Sequence, residues 1–273
     1  LRHIATVHTL YYTDPACPWS WALEPSLRRL LWEFGSELEL EYVMCGISLE
    51  DPRHVALQAL EAAARSGMPV DARLWLSDPP ASSHPVCLAV KAAAEQGAAG
   101  PYLRRLREAI FCRRRRLEHR EALLEEARAV PALDLERLRI DLGSHAILEA
   151  FAADLDRARR VPEQHHAPGT GRVRLPSLEF LDGQGTIHGV YGHSDYDALS
   201  AAARAAGAVP VAGPPTIEEA LGAFGTLATA EVAAVCRLPG PTAPAALWRL
   251  ASEWRLTPER VLGGELWRLG AGG

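Results

Sequence analysis

Lysine is nearly missing from this chain: Lys91 stands alone among 273 residues, and the other basic residues are arginines interleaved with carboxylates, for a net charge of -5. That excludes the basic stripe that nucleic acid or an anionic membrane surface would require. No apolar run approaches the roughly 18 residues of a spanning helix, so no membrane segment is predicted. The opening residues, LRHIATVHTLYY, lack the basic region, long apolar stretch and small-residue cleavage site of a secretory signal, and a cytoplasmic location is expected. Cysteine is sparse. The five present, Cys17, Cys45, Cys87, Cys112 and Cys236, are odd in number and widely spaced, which argues against a disulfide framework and agrees with a reducing compartment. His165-His166 has no third ligand at metal-binding spacing, and no metal or bound cofactor is expected. Internal repeats and low-complexity tracts are absent as well.

What is present is the composition of a folded soluble protein, 48% hydrophobic and 23% charged, long enough for one elaborated domain with an appendage. Ile4 to Tyr12 reads as a strand that Thr13-Asp14-Pro15 breaks. An amphipathic helix is predicted from about Pro18 to Phe34, because Leu23, Leu27, Leu30, Leu31 and Phe34 recur at helical spacing. Leu38, Leu40, Tyr42 and Met44 alternate as a second strand. From Asp51 to Arg160 the pattern is helical, with segments Val55 to Arg65, His84 to Gln96, Pro101 to Arg113, Glu118 to Ala129, Leu133 to Leu142 and Ser144 to Arg160. After a loop at 161–171, strands are predicted at Leu178 to Leu181 and Thr186 to Tyr191 around the turn Asp182-Gly183-Gln184-Gly185. A closing helix from Ser194 to Ala206 takes Ser194 as its N-cap. The Pro/Gly-rich stretch at 208–215 reads as a linker. It leads to a small helical unit at 216–273 with helices near Ile217 to Phe224, Thr229 to Cys236 and Ala243 to Trp254. The expected domains are 1–50 with 172–207, an inserted helical domain at 51–171, and this C-terminal unit.

The chemistry concentrates at Cys17-Pro18-Trp19-Ser20, where a thiol opens a helix. Unpaired backbone N–H groups and the positive end of the helix dipole favour the thiolate there, which lowers the thiol pKa from about 8.5. Pro18 suits the first helical position, which needs no amide donor, and Trp19 is placed to cover the thiol. Asp14-Pro15-Ala16-Cys17-Pro18-Trp19-Ser20-Trp21 resembles the active-site turn of cytoplasmic DsbA-family proteins, whose CPxC motif opens the first helix. Leu175-Pro176-Ser177 resembles the cis-proline loop of that fold, and Gly192 followed by Tyr196 and Leu199 is similar to its closing segment. Ser82-Ser83-His84-Pro85-Val86-Cys87 resembles the start of the family's helical insertion. The resemblance spans about residues 5 to 207. It implies an α/β thioredoxin-like fold with an inserted helical domain, and a thiol:disulfide oxidoreductase with Cys17 as nucleophile. It further implies substrate contacts from Pro18, Trp19, Leu175 and Pro176, with protein thiols or glutathione as partners.

Ser20 departs from the family pattern, because a serine cannot resolve a mixed disulfide. Three readings follow. In a monothiol cycle Ser20 hydrogen-bonds the thiolate and external glutathione resolves the adduct. Alternatively Cys45 is the resolving thiol, since both parallel strands would end at one edge of the sheet, although packing in the core is the better reading of Cys45, as of Cys87 and Cys112. Thirdly, kappa-class glutathione transferases and 2-hydroxychromene-2-carboxylate isomerases share the fold and carry a serine-containing turn, so a glutathione-dependent transferase or isomerase is an alternative. A redox-inactive, peptide-binding adaptor stands beside all three. The C-terminal unit, with Thr229 to Ala233, Leu238-Pro239-Gly240, Ala245 to Leu250 and Val261 to Trp267, resembles a degenerate winged helix. Its candidate recognition helix is apolar apart from Arg249, so packing on the main domain or a homodimer contact is expected rather than DNA. Arg113 to Arg116 is expected to form a solvated helical face.

Overall fold

The computed structural model describes residues 6–49 and 51–270. Ile4 and Ala5 of the predicted first strand lie outside them. β1 (Val7–Thr13) is followed by α1 (Pro18–Ala22), α2 (Glu24–Phe34) and β2 (Leu38–Met44). The single helix predicted over 18–34 is thus two segments joined at Leu23. Pro25 explains the break, because it has no N–H to give the carbonyl of Trp21. β1 pairs in parallel with β2 and antiparallel with β3 (Ser177–Leu181), which pairs with β4 (Ile187–Tyr191), giving the order β2-β1-β3-β4. One sheet face packs Tyr11, Leu178 and Phe180 against Leu23, Leu27, Leu30 and Phe34 of the first helices and Leu199 and Ala203 of the closing helix. Leu30 is completely buried, and its truncation to alanine would cost about 2–5 kcal/mol.

Between β2 and β3 lie α3 (Pro52–Ser66), α4 (Arg73–Ser77), α5 (His84–Ala94), α6 (Ala99–Phe111), α7 (Arg120–Ala127), α8 (Leu135–Asp141) and α9 (His145–Arg160). Asp51, Asp134 and Ser144 cap α3, α8 and α9 with side-chain oxygens. The short α4 has too few residues for a periodic signal. The end of α9 lies on the second face of the sheet, where Ala158 and Val161 meet Leu10, Tyr12 and Val43. Arg113 to Arg116 follow α6 in an irregular segment rather than on a helix, with Arg114 in the left-handed region. Each is held by carboxylates: Arg113 by Glu108 and Glu259, Arg114 by Asp71, Arg115 by Glu126 and Arg116 by Asp78.

The closing helix α10 (Tyr196–Ala205) is capped by Asp195, whose side chain accepts from Ala198 N, and not by Ser194. The stretch after it is extended and fastened to α2: Val211 N donates to Glu33 O at 2.7 Å and Trp32 Nε1 to Gly213 O at 2.7 Å. The C-terminal unit contains α11 (Ile217–Phe224), β5 (Leu227–Ala228), α12 (Thr229–Val235), α13 (Thr242–Ser252), β6 (Leu256–Val261) and β7 (Gly264–Leu269). The three expected helices are present, and a small sheet that the helix assignments did not include accompanies them. Leu256 to Val261 and Gly264 to Leu269 pair as a hairpin around the Leu262-Gly263 turn, within the region whose Val261 to Trp267 segment carried the winged-helix resemblance. The order of helices and strands, with a sheet β5-β7-β6, is that of a winged helix. One face of its sheet supplies Trp267 and Leu256 to its own core, while Leu266 joins the core of the inserted helices.

Candidate functional site

Cys17 stands at the N-cap of α1 with an extended backbone and Pro18 at the first helical position. Behind it Asp14 builds the turn, accepting Ala16 N at 2.8 Å on Oδ1 and the Ser83 hydroxyl at 2.6 Å, Ile47 N at 3.1 Å and Cys87 Sγ at 3.4 Å on Oδ2. The carboxyl is fully buried, and burial raises its pKa against these donors. The Ser82 to Cys87 segment singled out in the sequence therefore meets the motif through Ser83 and Cys87. Neither this contact nor the role of Asp14 was foreseen. The signal available was Asp14 itself, an acidic residue in an otherwise apolar turn.

Only 6% of Cys17 is exposed. Burial pushes its thiol above the usual cysteine value, and the Asp14 charge adds to this, although the Ser20 hydroxyl and the Ser20 and Trp19 amides favour the thiolate. The lowered pKa expected from the helix start is thus reversed in this conformation, since desolvation outweighs the short five-residue α1. Ser20 is fully buried, and its hydroxyl finds no hydrogen-bond partner among the described residues besides the sulfur it faces. Trp19 remains partly exposed and leans on the His193 ring, with centroids 5.4 Å apart. Burial lowers the pKa of His193, against a raising contribution from the Ala22 backbone. Trp21 points inward, donating to Pro69 O at 2.9 Å and stacking on Phe111.

The Leu175-Pro176 bond is cis. Tyr12 pairs with Ser177, so the next step of the register brings Pro176 beside Thr13, at the end of β1 that leads to Cys17. Ser177 Oγ donates to Arg174 O at 2.6 Å and accepts Gly192 N at 3.1 Å, joining this loop to the closing segment. Arg172 clamps the same loop to the end of β2 by donating to the Cys45 and Gly46 carbonyls. Gly46 is left-handed there, and a Cβ would lie 2.9 Å from the His84 and Phe151 rings. Cys45 follows a strand parallel to β1, but its side chain packs among Leu10, Tyr12, Val161 and Val173 and donates to Val43 O. Burial pushes its thiol well above the usual value. Cys87 is the thiol that touches the motif, through Asp14. All five cysteines are free. His165 stacks on Tyr191, His166 bonds Val161 O, and no metal-ligating cluster occurs among the described residues.

A four-stranded sheet, a helical insertion, and a cysteine-proline turn that follows the strand end beside which the cis-proline lies define a thioredoxin-like fold. A family model described as Thioredoxin matches residues 10–165, more than half of the chain, and the chain belongs to that family. It is 28% identical to the ClpXP adapter protein SpxH of Halalkalibacterium halodurans over 278 residues, covering 94% of this chain and 87% of that protein. The protein of the same name from Bacillus subtilis is 33% identical over 153 residues, 53% of this chain and 51% of the relative. The fold is similar to the cytosolic disulfide reductase DsbM from Pseudomonas aeruginosa, with a TM-score of 0.55 and 21% identity over 67% of this chain and 88% of that one.

Proposed function

We propose that this protein is a protein-binding adapter, in which the Cys17 and Leu175-Pro176 region receives an extended client segment for delivery to a ClpXP protease. The observation that carries this reading is the setting of the thiol: Cys17 is buried, where desolvation favours its neutral form, and Ser20 stands where a second cysteine would complete a redox pair. A turnover enzyme needs the thiolate and a means of release. A binding site needs neither. Leu175, just before Pro176, is where an extended peptide would add its backbone to the fold. The relatives that align over nearly the whole chain carry the adapter name, which supports the reading and a cytoplasmic location with it.

The second reading, thiol exchange with a protein thiol or glutathione, draws on the Ser20 and Trp19 donors around the sulfur. There the Cys17 thiolate attacks a disulfide, one thiolate leaves, and an external thiol must resolve the mixed disulfide. The two readings separate in one reconstituted experiment, client degradation by ClpXP with and without the protein. Stimulation should survive Cys17→Ala if binding is the function. Its loss in that variant, with folding intact, sinks the adapter reading in favour of exchange.

A further inference from the structure

A cavity of about 670 Å³ opens between α2, α6 and the C-terminal unit, away from Cys17. Its charged lining comes from four arginines, Arg28, Arg104, Arg105 and Arg268, and one carboxylate, Glu108. Glu108 is already taken, by Arg104 at 2.8 Å and Arg113 at 3.2 Å. Arg104 is spent too, on Glu108, Glu24, Glu231 and the Thr226 carbonyl.

The other three are not. Arg28 turns its Nε to Glu24 at 3.0 Å, with Glu231 at 3.8 Å, while its guanidinium lies 5.1 Å over Phe224. Its side chain is 14% exposed, and its terminal nitrogens meet no protein acceptor among the described residues. Arg105 approaches Glu126 through Nε at 2.6 Å and stands 4.0 Å from Glu108 through Nη1. Arg268 has no carboxylate within ion-pair distance among the described residues. A guanidinium carries five donors in a planar fork suited to carboxylate and phosphate oxygens, and three such groups from three elements line one space. Phe224, Val130, Pro101 and Pro131 supply an apolar wall. At Gly222 and Gly225, which line the cavity, an added Cβ would meet nothing within 4 Å.

We propose that this cavity binds a small, multiply charged organic anion, its phosphate or carboxylate groups on Arg28, Arg105 and Arg268 and a flat apolar portion against Phe224. Donors on separate elements call for more than one anionic group. The volume falls within the range of small-molecule sites, roughly 300–1,000 Å³. The ligand would join the helix that follows the Cys17 turn, the inserted helices and the C-terminal unit. None of this depends on the adapter reading.

Thermal unfolding of the full chain at constant ionic strength tests it, with tripolyphosphate, citrate and ATP as probes. Binding at about tenfold excess over Kd should raise the midpoint by about 3 °C. A rise with tripolyphosphate assigns phosphate as the charged group and a rise with citrate assigns carboxylate. ATP should exceed tripolyphosphate because its base reaches the Phe224 wall. Arg268→Ala, at an exposed and unpaired position, should at least halve the rise measured from its own baseline. No rise with any probe, or an undiminished rise in both Arg268→Ala and Arg105→Ala, overturns the site. Equal rises for ATP and tripolyphosphate overturn its apolar half.

Discussion

Two opposed influences meet on the Cys17 sulfur: burial and the Asp14 charge hold the proton on, while Ser20 and nearby amides favour its loss. Alkylation by iodoacetamide should therefore titrate above the free-cysteine value of about 8.5. Ser20→Ala should move that midpoint higher still, and a midpoint below 8 would contradict the buried arrangement. The sign for stability follows. A thiol with a raised folded pKa contributes stability that is complete below its unfolded pKa and is lost as pH rises through the folded value. Cys17, Cys45 and Cys87 all shift in this direction, so the urea midpoint should fall as pH is raised above about 8.5. Cys17, Pro18 and Pro176 were legible in the sequence because each has a local signature. The partnership of Asp14 with Ser83 and Cys87 was not, since it joins residues 69 and 73 positions apart and only the folded chain brings them together.

Among the elements, α2, α6 and α12 are fastened by buried charges. Arg104 bonds Glu24, Glu108 and Glu231, and Arg107 bonds Glu24 at 2.5 Å. Burial works to raise the Glu24 pKa, but Arg28, Arg107 and Arg104 outweigh it and hold the value at about 2. The stability this carboxylate contributes should be lost as pH falls from about 4.3 toward that value, and a chemical denaturation series across that window would show it. Arg104→Met leaves three buried carboxylates short of a cation and should cost about 3–5 kcal/mol by urea unfolding. A loss below 1 kcal/mol would mean that the cluster rearranges. Trp254 presents the opposite case. It occupies the left-handed position of a Schellman turn closing α13, with Arg255 N on Leu250 O and Trp254 N on Ala251 O, a place that favours glycine. Arg237 occupies the same place after α12, but there its guanidinium reaches Glu33. Trp254 is 88% exposed. Trp254→Gly should raise the melting temperature by about 2–4 °C, and a drop would show that the indole packs against something. Helix periods in the sequence gave most elements within two or three residues. The break at Leu23 escaped because Pro25 sits inside an otherwise continuous helical period, and the β6-β7 strands because their alternation is short.

At the scale of the whole molecule, the parts are joined too closely to melt apart. Gly263 at the hairpin tip lies against the backbone of Val70, Leu266 is shared with the inserted helices, and Arg104 crosses from α6 to α12. One cooperative transition is expected in calorimetry, and a separate early peak for the C-terminal unit would refute the shared core. The order of elements, strand-helix-strand, insertion, hairpin and last helix, was readable because periodicity is local. The packing of the winged-helix unit was not, as nothing in its own pattern names the surface that Leu266 enters. The central strand carries one further consequence. β1 meets β2 at once on one side, but on the other it must wait for β3, and Tyr12 and its partner Glu179 are 167 positions apart. At ribosomal speeds that is roughly ten to thirty seconds of synthesis. During that interval the growing polypeptide presents an apolar strand with one bare edge, and nascent-chain binding factors would find their target there.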